Sequence, residues 1–501
     1  MKIGVCPFSI NLTMKVNILI IVFLIMSVSL KAQNKYGYQW ILEYHDFVDF
    51  RKTPAKIDLT VPQPFYSAGA FGTTMCDKYG EMIFQTGGCY ILNNKFQIMK
   101  TGDSINSKYS YRGWCIVRQG DGTFPFTQSS IALPSPQNDS IYLAFNLDTE
   151  EIDNVPIPNH LYYHIIDMKQ DNGLGAVVEK KKIALKDTLS RGYLIATKHS
   201  NGVDWWIIIS KYASNCYFSL KITSNGVQTP ILNCEGMSAD SFDLGGQVTI
   251  SPNGKKYVRS FYRDKIFLYD FDNTTGQLSN FTQLKGPDST SFFQAIQFSA
   301  NSRYLYLSRY SKIYQFDLEA SDVQSSRTEI GDVTDIPKSQ DKGELHEMRL
   351  APDGKIYIAS PFSHRFLSVI NRPNCPGKMS DFRPYAIELK RYNYGGLPNI
   401  PFFEQPPANY NCDSINTSTE EIIGNVAIYP NPATTEITIS SSNTFQQFDI
   451  IALTGQTMLK DKLSENTTDI DVSTLPEGIY FIKLTNPLTQ TRALGKFVLK
   501  R

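Results

Sequence analysis

The histidines are the first side chains to test for chemistry, because an imidazole can hold a metal ion or move a proton near neutral pH. The sequence contains six of them: His45, His160, His164, His199, His346 and His364. His160 and His164 have the i,i+4 spacing that can face one metal from a helix, but Leu161-Tyr162-Tyr163 between them favours a strand. No acidic third ligand accompanies the pair, so we predict hydrogen-bonded histidines, no metal site and no cofactor.

Recognisable catalytic motifs are missing as well. No GxSxG, HExxH, P-loop or dinucleotide pattern occurs in a strand-to-helix setting. Acidic pairs such as Glu150-Glu151 fall on loop-like segments, and nothing in the pattern sets two carboxylates across a cleft as a glycosidase needs. Trp205-Trp206 could stack on a sugar, but adjacent strand residues point to opposite faces, so we expect at least one to pack in the core.

The cysteines supply the other reactive group. Seven of them follow residue 33: Cys76, Cys89, Cys115, Cys216, Cys234, Cys375 and Cys412. No CxxC or Cys/His cluster with zinc spacing appears, which argues against a metal site. Cys216 and Cys234 lie evenly about Asn225-Gly226, a turn that returns the chain as an antiparallel strand. Cross-strand neighbours come within disulfide reach, so we predict that this pair is oxidised.

Two further disulfides are predicted from flanking positions. Cys76 and Cys89 flank the hairpin around Lys78-Tyr79-Gly80. Cys375 and Cys412 would close the end of the large domain, and Cys115 is then left over. Buried free thiols are the alternative to these pairs.

Composition narrows the class of protein. Lys and Arg number 49 and Asp and Glu 48, so the formal net charge is +1. This balance argues against a nucleic-acid partner or an anionic membrane, because both need a basic surface. The 28 tyrosines and 30 phenylalanines, with few helical periodicities, favour an all-β fold. The length exceeds what one compact core holds, so we expect a large domain and a small one.

A repeat of about 50 residues runs through the middle of the chain. Each unit has a polar turn followed by a strand rich in Tyr, Ile or Trp, and the turns end at residues 80, 139, 202, 254, 302 and 354. In Ser251-Pro252-Asn253-Gly254 and Ala351-Pro352-Asp353-Gly354, Pro presets φ, while Asn, Asp and Gly accept a left-handed conformation. The chain therefore reverses at each turn, and the flanking strands pair as hairpins.

Sheets of this size cannot bury both faces alone, but they can when stacked around an axis. We predict a β-propeller of the WD40 or YVTN kind over residues 34–407, with seven blades; two stacked β-sandwich domains are the alternative. The segment Tyr38–Glu43 is predicted to supply a strand to the last blade and so remove the exposed edges. His346 lies just before an inner strand, whose end would face the central channel, so it is the one channel candidate.

The N-terminus has the pattern of an export signal. Val16–Leu30 is mostly apolar, follows Lys15, and is shorter than the roughly 20 residues that a spanning helix needs. Ala32 before Gln33 suits a signal peptidase, so residues 1–32 are predicted to be a signal peptide, with Met14 as the true start. An uncleaved anchor is the alternative.

The C-terminal end of the chain has the pattern of a second targeting signal. Residues 425–501 alternate apolar and polar residues in short runs, which is typical of a small β-sandwich. The recognisable residues are Tyr429, Pro430, Asn431, Pro432, Gly455, Gly478, Tyr480 and Lys496. This stretch closely resembles the C-terminal sorting domain of type IX secretion in Bacteroidetes; an ordinary immunoglobulin-like adhesive module is the alternative.

The resemblance implies export through the type IX machinery and removal of the tail by its sortase. The linker at 408–424, rich in Asn, Ser and Thr, is where cleavage would fall. The resemblance also implies release from the cell or attachment to surface lipopolysaccharide.

Stretches of the large domain resemble a Bacteroidetes family of secreted, propeller-like proteins. The matching pieces include Cys76–Phe84, Lys198–Trp206 and Leu350–Tyr357, and the resemblance covers most of residues 68–400. Tyr36–Phe50 lacks the family's glycine-rich opening, and no PKD-type module precedes the tail. The resemblance implies architecture and export, but no enzymatic activity.

These patterns together predict a secreted or outer-surface protein whose propeller binds a glycan or another protein through one end of the ring. The competing hypothesis is a secreted hydrolase of polysaccharide or peptide that uses the propeller channel. A structural role at the cell surface is the third. We predict no catalytic residue from the sequence.

Overall fold

A computed structural model describes most of the chain after residue 33. The described residues are 34–42, 46–58, 72–116, 126–149, 157–240, 246–261, 265–287, 294–334, 344–361, 364–393, 395–403, 412, 426–441, 445–453, 456–463, 467–486 and 492–501. The chain divides into two units, Met1–Asn34 and Lys35–Arg501, and the second contains every described residue except Asn34. The predicted cleavage residues Ala32 and Gln33 and the predicted motif residue Gly455 lie outside the described residues.

In the described part of the chain, seven antiparallel sheets precede the C-terminal sandwich, and apart from β15, which pairs with β13, their strands pair in chain order. Sheet 1 contains β1 (Gln39–Ile41), β2 (Phe47–Asp49) and β3 (Lys56–Asp58). Sheet 2 contains β4 (Thr73–Cys76), β5 (Met82–Thr86) and β6 (Ile91–Asn93). Sheet 3 contains β7 (Ser130–Pro134), β8 (Ile141–Thr149), β9 (Pro158–Asp167) and β10 (Ala176–Lys186). Sheet 4 contains β11 (Ile195–Lys198), β12 (Trp205–Ser210), β13 (Cys216–Thr223), β14 (Gly226–Val227) and β15 (Ile231–Cys234). Sheet 5 contains β16 (Val248–Ile250), β17 (Lys256–Ser260), β18 (Lys265–Asp272) and β19 (Gln277–Lys285). Sheet 6 contains β20 (Gln294–Phe298), β21 (Tyr304–Arg309), β22 (Lys312–Asp317) and β23 (Thr328–Asp332). Sheet 7 contains β24 (Met348–Leu350), β25 (Ile356–Ile358), β26 (His364–Ile370) and β27 (Phe382–Asn393).

The helical segments found among these residues are short. They are α1 (Lys108–Ser110), a π-helical turn (Tyr111–Ile116) and 3₁₀ turns at Asp171–Gly173 and Gly377–Ser380. Among the described residues, no helix has the length and apolar character to cross a membrane.

The six turns that the repeat predicts all join the first strand of a sheet to its second, in sheets 2 to 7. In five of them a backbone N–H bonds to the carbonyl three residues earlier; the donors are Gly80, Gly202, Gly254, Ser302 and Gly354. The φ angles of these donors lie between 65° and 92°. Glycine adopts this conformation without steric cost, which is why the turn positions were readable from the sequence.

Hydrophobic clusters join each sheet to the next and the last sheet to the first. The shared clusters contain Ile41 with Met82 (sheets 1 and 2), Phe84 with Tyr142 (2 and 3), Phe145 with Trp205 (3 and 4), Trp206 with Tyr257 (4 and 5), Val258 with Leu305 (5 and 6), Tyr306 with Ile356 (6 and 7) and Trp40 with Tyr357 (7 and 1). This cyclic order is the packing of sheets around an axis, and it confirms the all-β propeller class. Seven blades stay a prediction, which the seven sheets support.

The tandem tryptophans are part of this packing. Trp205 and Trp206 are 1% and 2% exposed and belong to different clusters, on opposite faces of β12. The indole N–H of Trp206 donates to the Asn273 carbonyl at 2.9 Å. Both rings therefore pack between sheets, as expected for neighbouring strand residues, and neither is presented for sugar stacking.

The predicted role of Tyr38–Glu43 is wrong. Its described part forms β1, which pairs with β2 in a sheet of its own instead of adding a strand to the last sheet. The contact with sheet 7 is made by side chains: the Trp40 ring lies 5.8 Å from that of Tyr357. Asp46 accepts backbone N–H groups of Lys390 and Arg391 at 3.1 and 2.9 Å. The sequence between β1 and β2, residues 42–46, contains no Gly, Pro or Asn, so no turn signal indicated this pairing.

The disulfides follow strand register. Cys216 and Cys234 lie directly opposite each other on β13 and β15 and are bonded, as predicted. Cys375 is bonded to Cys412, also as predicted.

The predicted bond between Cys76 and Cys89 is wrong, because Cys89 is bonded to Cys115. The hairpin places Met82 opposite Cys76, whereas Cys89 lies beyond the far end of β5. Cys76 is a buried free thiol whose Sγ lies 3.7 Å from the Gln39 carbonyl.

The C-terminal residues form two facing sheets. The three-stranded sheet contains β28 (Val426–Tyr429), β29 (Glu436–Ser441) and β32 (Thr467–Asp471), and the four-stranded sheet contains β30 (Gln447–Ala452), β31 (Thr457–Lys462), β33 (Gly478–Thr485) and β34 (Arg492–Leu499). Their inner side chains share one core. A Cβ at Gly495 would lie 2.3 Å from Ile428 Cδ1, so a glycine is needed where the two sheets approach.

Candidate functional site

Residues 395–403, which we call the axial segment, meet the first strands of several sheets. Asn399 Nδ2 donates to the carbonyls of Ser130 and Leu194 at 3.0 and 2.8 Å. Its Oδ1 accepts from Gln128 Nε2 at 3.3 Å and from Arg349 Nη2 at 3.4 Å. These four partners belong to sheets 3, 4 and 7 or to the residues just before their first strands. A side chain bonded to all of them lies where the first strands converge, on the propeller axis.

The backbone of the axial segment is bonded just as closely. Asn399 N donates to the Gly72 carbonyl at 2.9 Å, and its carbonyl accepts from Thr73 Oγ1 at 2.8 Å. Phe403 packs beside Trp205, with ring centroids 5.5 Å apart, and beside Tyr36 at 5.3 Å. The place where the sequence predicted a ligand channel therefore contains the chain's own buried segment.

His346 lies at the predicted inner-strand end, but it contacts the axial segment. Its Nδ1 lies 2.8 Å from the Gly395 carbonyl, to which it donates as a neutral imidazole. Burial lowers the pKa of His346 to about 4, because the charged form loses its water. The arrangement suits a structural hydrogen bond, which is the alternative to ligand binding at this residue.

Glu347 and Arg349 are the charged residues that the sequence analysis did not single out. Both are buried, 1% and 2% exposed; Arg349 lies between the core residues Met348 and Leu350 in β24, and Glu347 directly precedes this strand. Glu347 Oε2 accepts the Leu397 N–H at 2.8 Å. Burial raises the pKa of Glu347 to about 7 and lowers that of Arg349 to about 10. The signal for this buried pair in the sequence was the alternation of Glu347 and Arg349 with the apolar residues Met348 and Leu350.

The histidine pair on β9 is buried and hydrogen-bonded. His164 Nε2 lies 2.7 Å from Asn146 Oδ1, and its Nδ1 accepts the Lys181 N–H at 3.2 Å. Burial lowers the pKa of His164 to about 3. His160 Nδ1 lies 2.9 Å from Asn159 Oδ1. Across the described part of the chain, no group of three His, Cys, Asp or Glu side chains could hold a metal ion.

A surface depression of about 720 Å³ lies on α1 and the π-helical turn, lined by Lys108, Tyr109, Arg112 and Gly113. Tyr109 and the neighbouring Tyr111 are each 36% exposed, and Lys108 and Arg112 are exposed. Flat rings beside cations are suited to a ligand with sugar-like faces and negative charge. The signal in the sequence was Lys108–Arg112, where two tyrosines lie between two basic residues.

The depression rests on a fixed base. Ser107 Oγ accepts the Ser110 N–H at 3.2 Å, and Asp148 Oδ1 accepts the Ser107 N–H at 3.0 Å. The disulfide between Cys89 and Cys115 ties the π-helical turn to sheet 2. Burial raises the pKa of the Asp148 carboxyl. The lining side chains are thus carried by a short helix held from below at several points.

The predicted sorting residues are spread over the C-terminal sandwich. Asn431 Oδ1 accepts the Val498 N–H at 2.9 Å, and Asn431 Nδ2 donates to the Lys496 carbonyl at 3.2 Å, so its side chain pairs with the outer edge of β34. Tyr480 Oη donates to the Pro476 carbonyl at 2.7 Å. Tyr429, which precedes Pro430, is 50% exposed.

The chain end is held as well. Arg501 N donates to Glu477 Oε1 at 2.7 Å, and Arg501 Nη2 donates to the Leu475 carbonyl at 2.9 Å. Gly478 begins β33 opposite Leu499. The C-terminal end of the last strand is therefore fixed, while Lys496 in the middle of the strand is exposed.

Comparisons with known proteins identify the tail. Residues 427–500 match the family model described as the secretion system C-terminal sorting domain. No curated protein matches the chain.

Several solved structures match the chain at low similarity. PorZ of Porphyromonas gingivalis, an essential surface component of its type-IX secretion system, has 11% identity over 93% of this chain and 80% of its own, with a TM-score of 0.25. A putative 6-phosphogluconolactonase of Bacteroides fragilis has 12% identity over 77% and 91%, with a TM-score of 0.33. The propeller domain of Cps50 (Swd1) from Myceliophteria thermophila has 9% identity over 64% and 88%, with a TM-score of 0.37.

Proposed function

We propose that this protein is exported to the cell surface, where its propeller binds a glycan or protein ligand at the depression formed by α1 and the π-helical turn. The C-terminal sorting domain implies export and a surface or secreted location. We further propose that residues 1–32 are a signal peptide and that 408–424 is the linker between the propeller and the sorting domain. Attachment to lipopolysaccharide and cleavage by the sortase are part of the same proposal.

The observation that supports binding is the chemistry of the depression. Tyr109 lines the depression together with the exposed cations Lys108 and Arg112, and the exposed Tyr111 is next to Arg112 in the sequence, on a segment that is fixed to sheets 2 and 3. A pre-formed site of this kind loses little conformational entropy when it takes a ligand. Among the ligand classes that the sequence left open, an anionic glycan fits this lining best, because its sugar faces can stack and its acidic groups can pair with cations.

The binding test is a glycan array probed with the exported protein, comparing sulfated or uronic-acid glycans with neutral ones. The combined variant Lys108→Ala/Arg112→Ala should lose at least about tenfold in affinity, the equivalent of about 1.4 kcal/mol. Binding should also weaken as salt rises, because exposed charges are screened. Lys169→Ala, an exposed lysine in another turn, is the matched control. Equal binding by the double variant and the control would count against the depression.

The export part has a separate test. Deleting residues 425–501 should leave the protein inside the cell envelope, since the sorting domain is what the secretion machinery reads. Appearance of the truncated chain outside the cell would contradict this proposal.

The hydrolase hypothesis would depend on Glu347 or His346, because among the described residues these are two groups beside the ring axis that could act as an acid or a base. Both contact the axial segment, at Leu397 and Gly395. A hydrolase working there would first have to displace this segment. Turnover of a polysaccharide or peptide by the wild-type protein, lost in Glu347→Gln, would establish it in place of binding.

A further inference from the structure

The four-stranded sheet of the C-terminal sandwich has a face that its own core does not use. The inward side chains of this sheet, such as Tyr480, Ile482 and Phe497, are at most 4% exposed. The residues between them point outward. The apolar ones among these, which we call the outer apolar face, are Ile451, Ile479, Phe481, Leu494 and Val498.

Strand register places the residues of the outer apolar face in neighbouring rows, with lysines between them. Ile451 lies opposite Phe481, which lies opposite Lys496 in turn. In the next row Lys483 lies opposite Leu494. Phe481 is 37% exposed and Leu494 is 45% exposed. Exposed apolar residues that are grouped in this way, with polar residues around them, are characteristic of interaction surfaces.

Charge is divided between the two sheets of the sandwich. The four-stranded sheet carries lysines at 460, 462, 483 and 496 against aspartates at 449 and 461. Strands β28, β29 and β32 contain Glu436, Asp469 and Asp471 and no lysine or arginine. The apolar residues are thus on the sheet whose strands have an excess of positive charge.

We propose that the outer apolar face is the surface by which the secretion machinery recognises this tail, and that the partner offers an apolar patch with an acidic rim. The proposal rests on the export function stated above. A sorting domain acts by being bound, and here the exposed apolar residues and the excess of lysines coincide on one sheet. Complementary charge steers such an encounter and buried apolar area holds it.

A second copy of this chain fits the face less well. In a symmetric pair the same surface meets itself, so Lys483 and Lys496 would approach like charges. An anionic membrane is the remaining occupant, and it is one of the outcomes of the test below.

The experiment measures the fraction of full-length protein found outside the cell. Phe481→Ser and Leu494→Ser should each lower export at least about tenfold, as expected when a central apolar contact is lost. Lys483→Glu should lower it by reversing the charge presented to the acidic rim. Phe481→Leu should retain export, because an apolar side chain still fills the contact.

Leu453→Ser is the matched control, because Leu453 is 67% exposed and lies in the turn after β30. It should be exported like the wild type; equal loss in this variant would overturn the assignment. Retained Phe481→Ser protein should also resist proteolysis as the wild type does, since its side chain lies outside the core. Digestion of the variant under those conditions would attribute the loss to misfolding and overturn the proposal.

Two further results bear on the proposal. Normal export of Phe481→Ser, with the deletion of residues 425–501 still retained, would overturn the face and leave the export function standing. If the purified wild-type protein binds vesicles of anionic lipid, and Phe481→Ser does not, the face is a membrane contact and the protein partner is excluded.

Discussion

Replacing Asn399 tests the axial segment directly. Asn399→Ala removes two donated hydrogen bonds, to Ser130 O at 3.0 Å and Leu194 O at 2.8 Å. It also removes the acceptor of Gln128 and Arg349. All of this occurs at a side chain that is 1% exposed, so water does not readily replace the lost partners.

The expected loss is large for one substitution. Each hydrogen bond contributes about 1 kcal/mol, and each buried polar group left without a partner costs about 1–3 kcal/mol, so we expect about 3–5 kcal/mol in total. An unfolding entropy of about 2.1 cal/mol/K per residue over roughly 370 residues gives about 0.8 kcal/mol/K, which places the fall in Tm at about 4–6 °C.

Thermal unfolding of the exported protein, followed by circular dichroism, measures this shift. Asn94→Ala, a change at an exposed turn residue, is the control and should leave Tm unchanged. If Asn399→Ala unfolds at the same temperature as the control, the axial segment does not hold the sheets together and the reasoning fails.

Three further predictions concern buried charge, thiols and the tail. Burial raises the pKa of Glu347 from 4.5 to about 7. The protonated carboxyl group therefore stabilises the folded state fully below pH 4.5, and this stabilisation is lost as the pH rises through about 7. Glu347→Gln should therefore lose less stability than the wild type between about pH 5 and about pH 8, measured by urea unfolding. Unfolding without reductant should expose one thiol in the chain after residue 33, at Cys76; labelling at Cys115 instead, by peptide mapping, would contradict the observed pairing. Asn431→Ala should destabilise the sandwich by about 1–2 kcal/mol, since two bonds to β34 are lost, and an unchanged denaturation midpoint would refute this.

The repeat was readable from the sequence because its signals are local. A turn such as Ser251–Gly254 needs Pro, Asn and Gly at fixed places whatever surrounds it, so the hairpins and the all-β class could be predicted. The pair Cys216 and Cys234 was readable for the same reason, since a turn lies at its centre.

The axial segment could not be predicted in this way. Asn399 lies in a stretch with two prolines, Pro398 and Pro401, that has no strand or helix period. The structural role of Asn399 depends on its hydrogen bonds to Ser130, 269 positions away, and to Leu194, 205 positions away. Cys115 was left over because the short helix that brings it to Cys89 has no periodicity of its own.

Hydrogen exchange at the amides of Leu397 and Asn399 tests most directly whether the sheets surround the chain's own segment. Both N–H groups donate to buried acceptors, Glu347 Oε2 at 2.8 Å and the Gly72 carbonyl at 2.9 Å. They should therefore exchange as slowly as the amides of β24, through global unfolding. Exchange at the rate of the exposed turn at Asn94 would mean that the axis is open and would contradict the account.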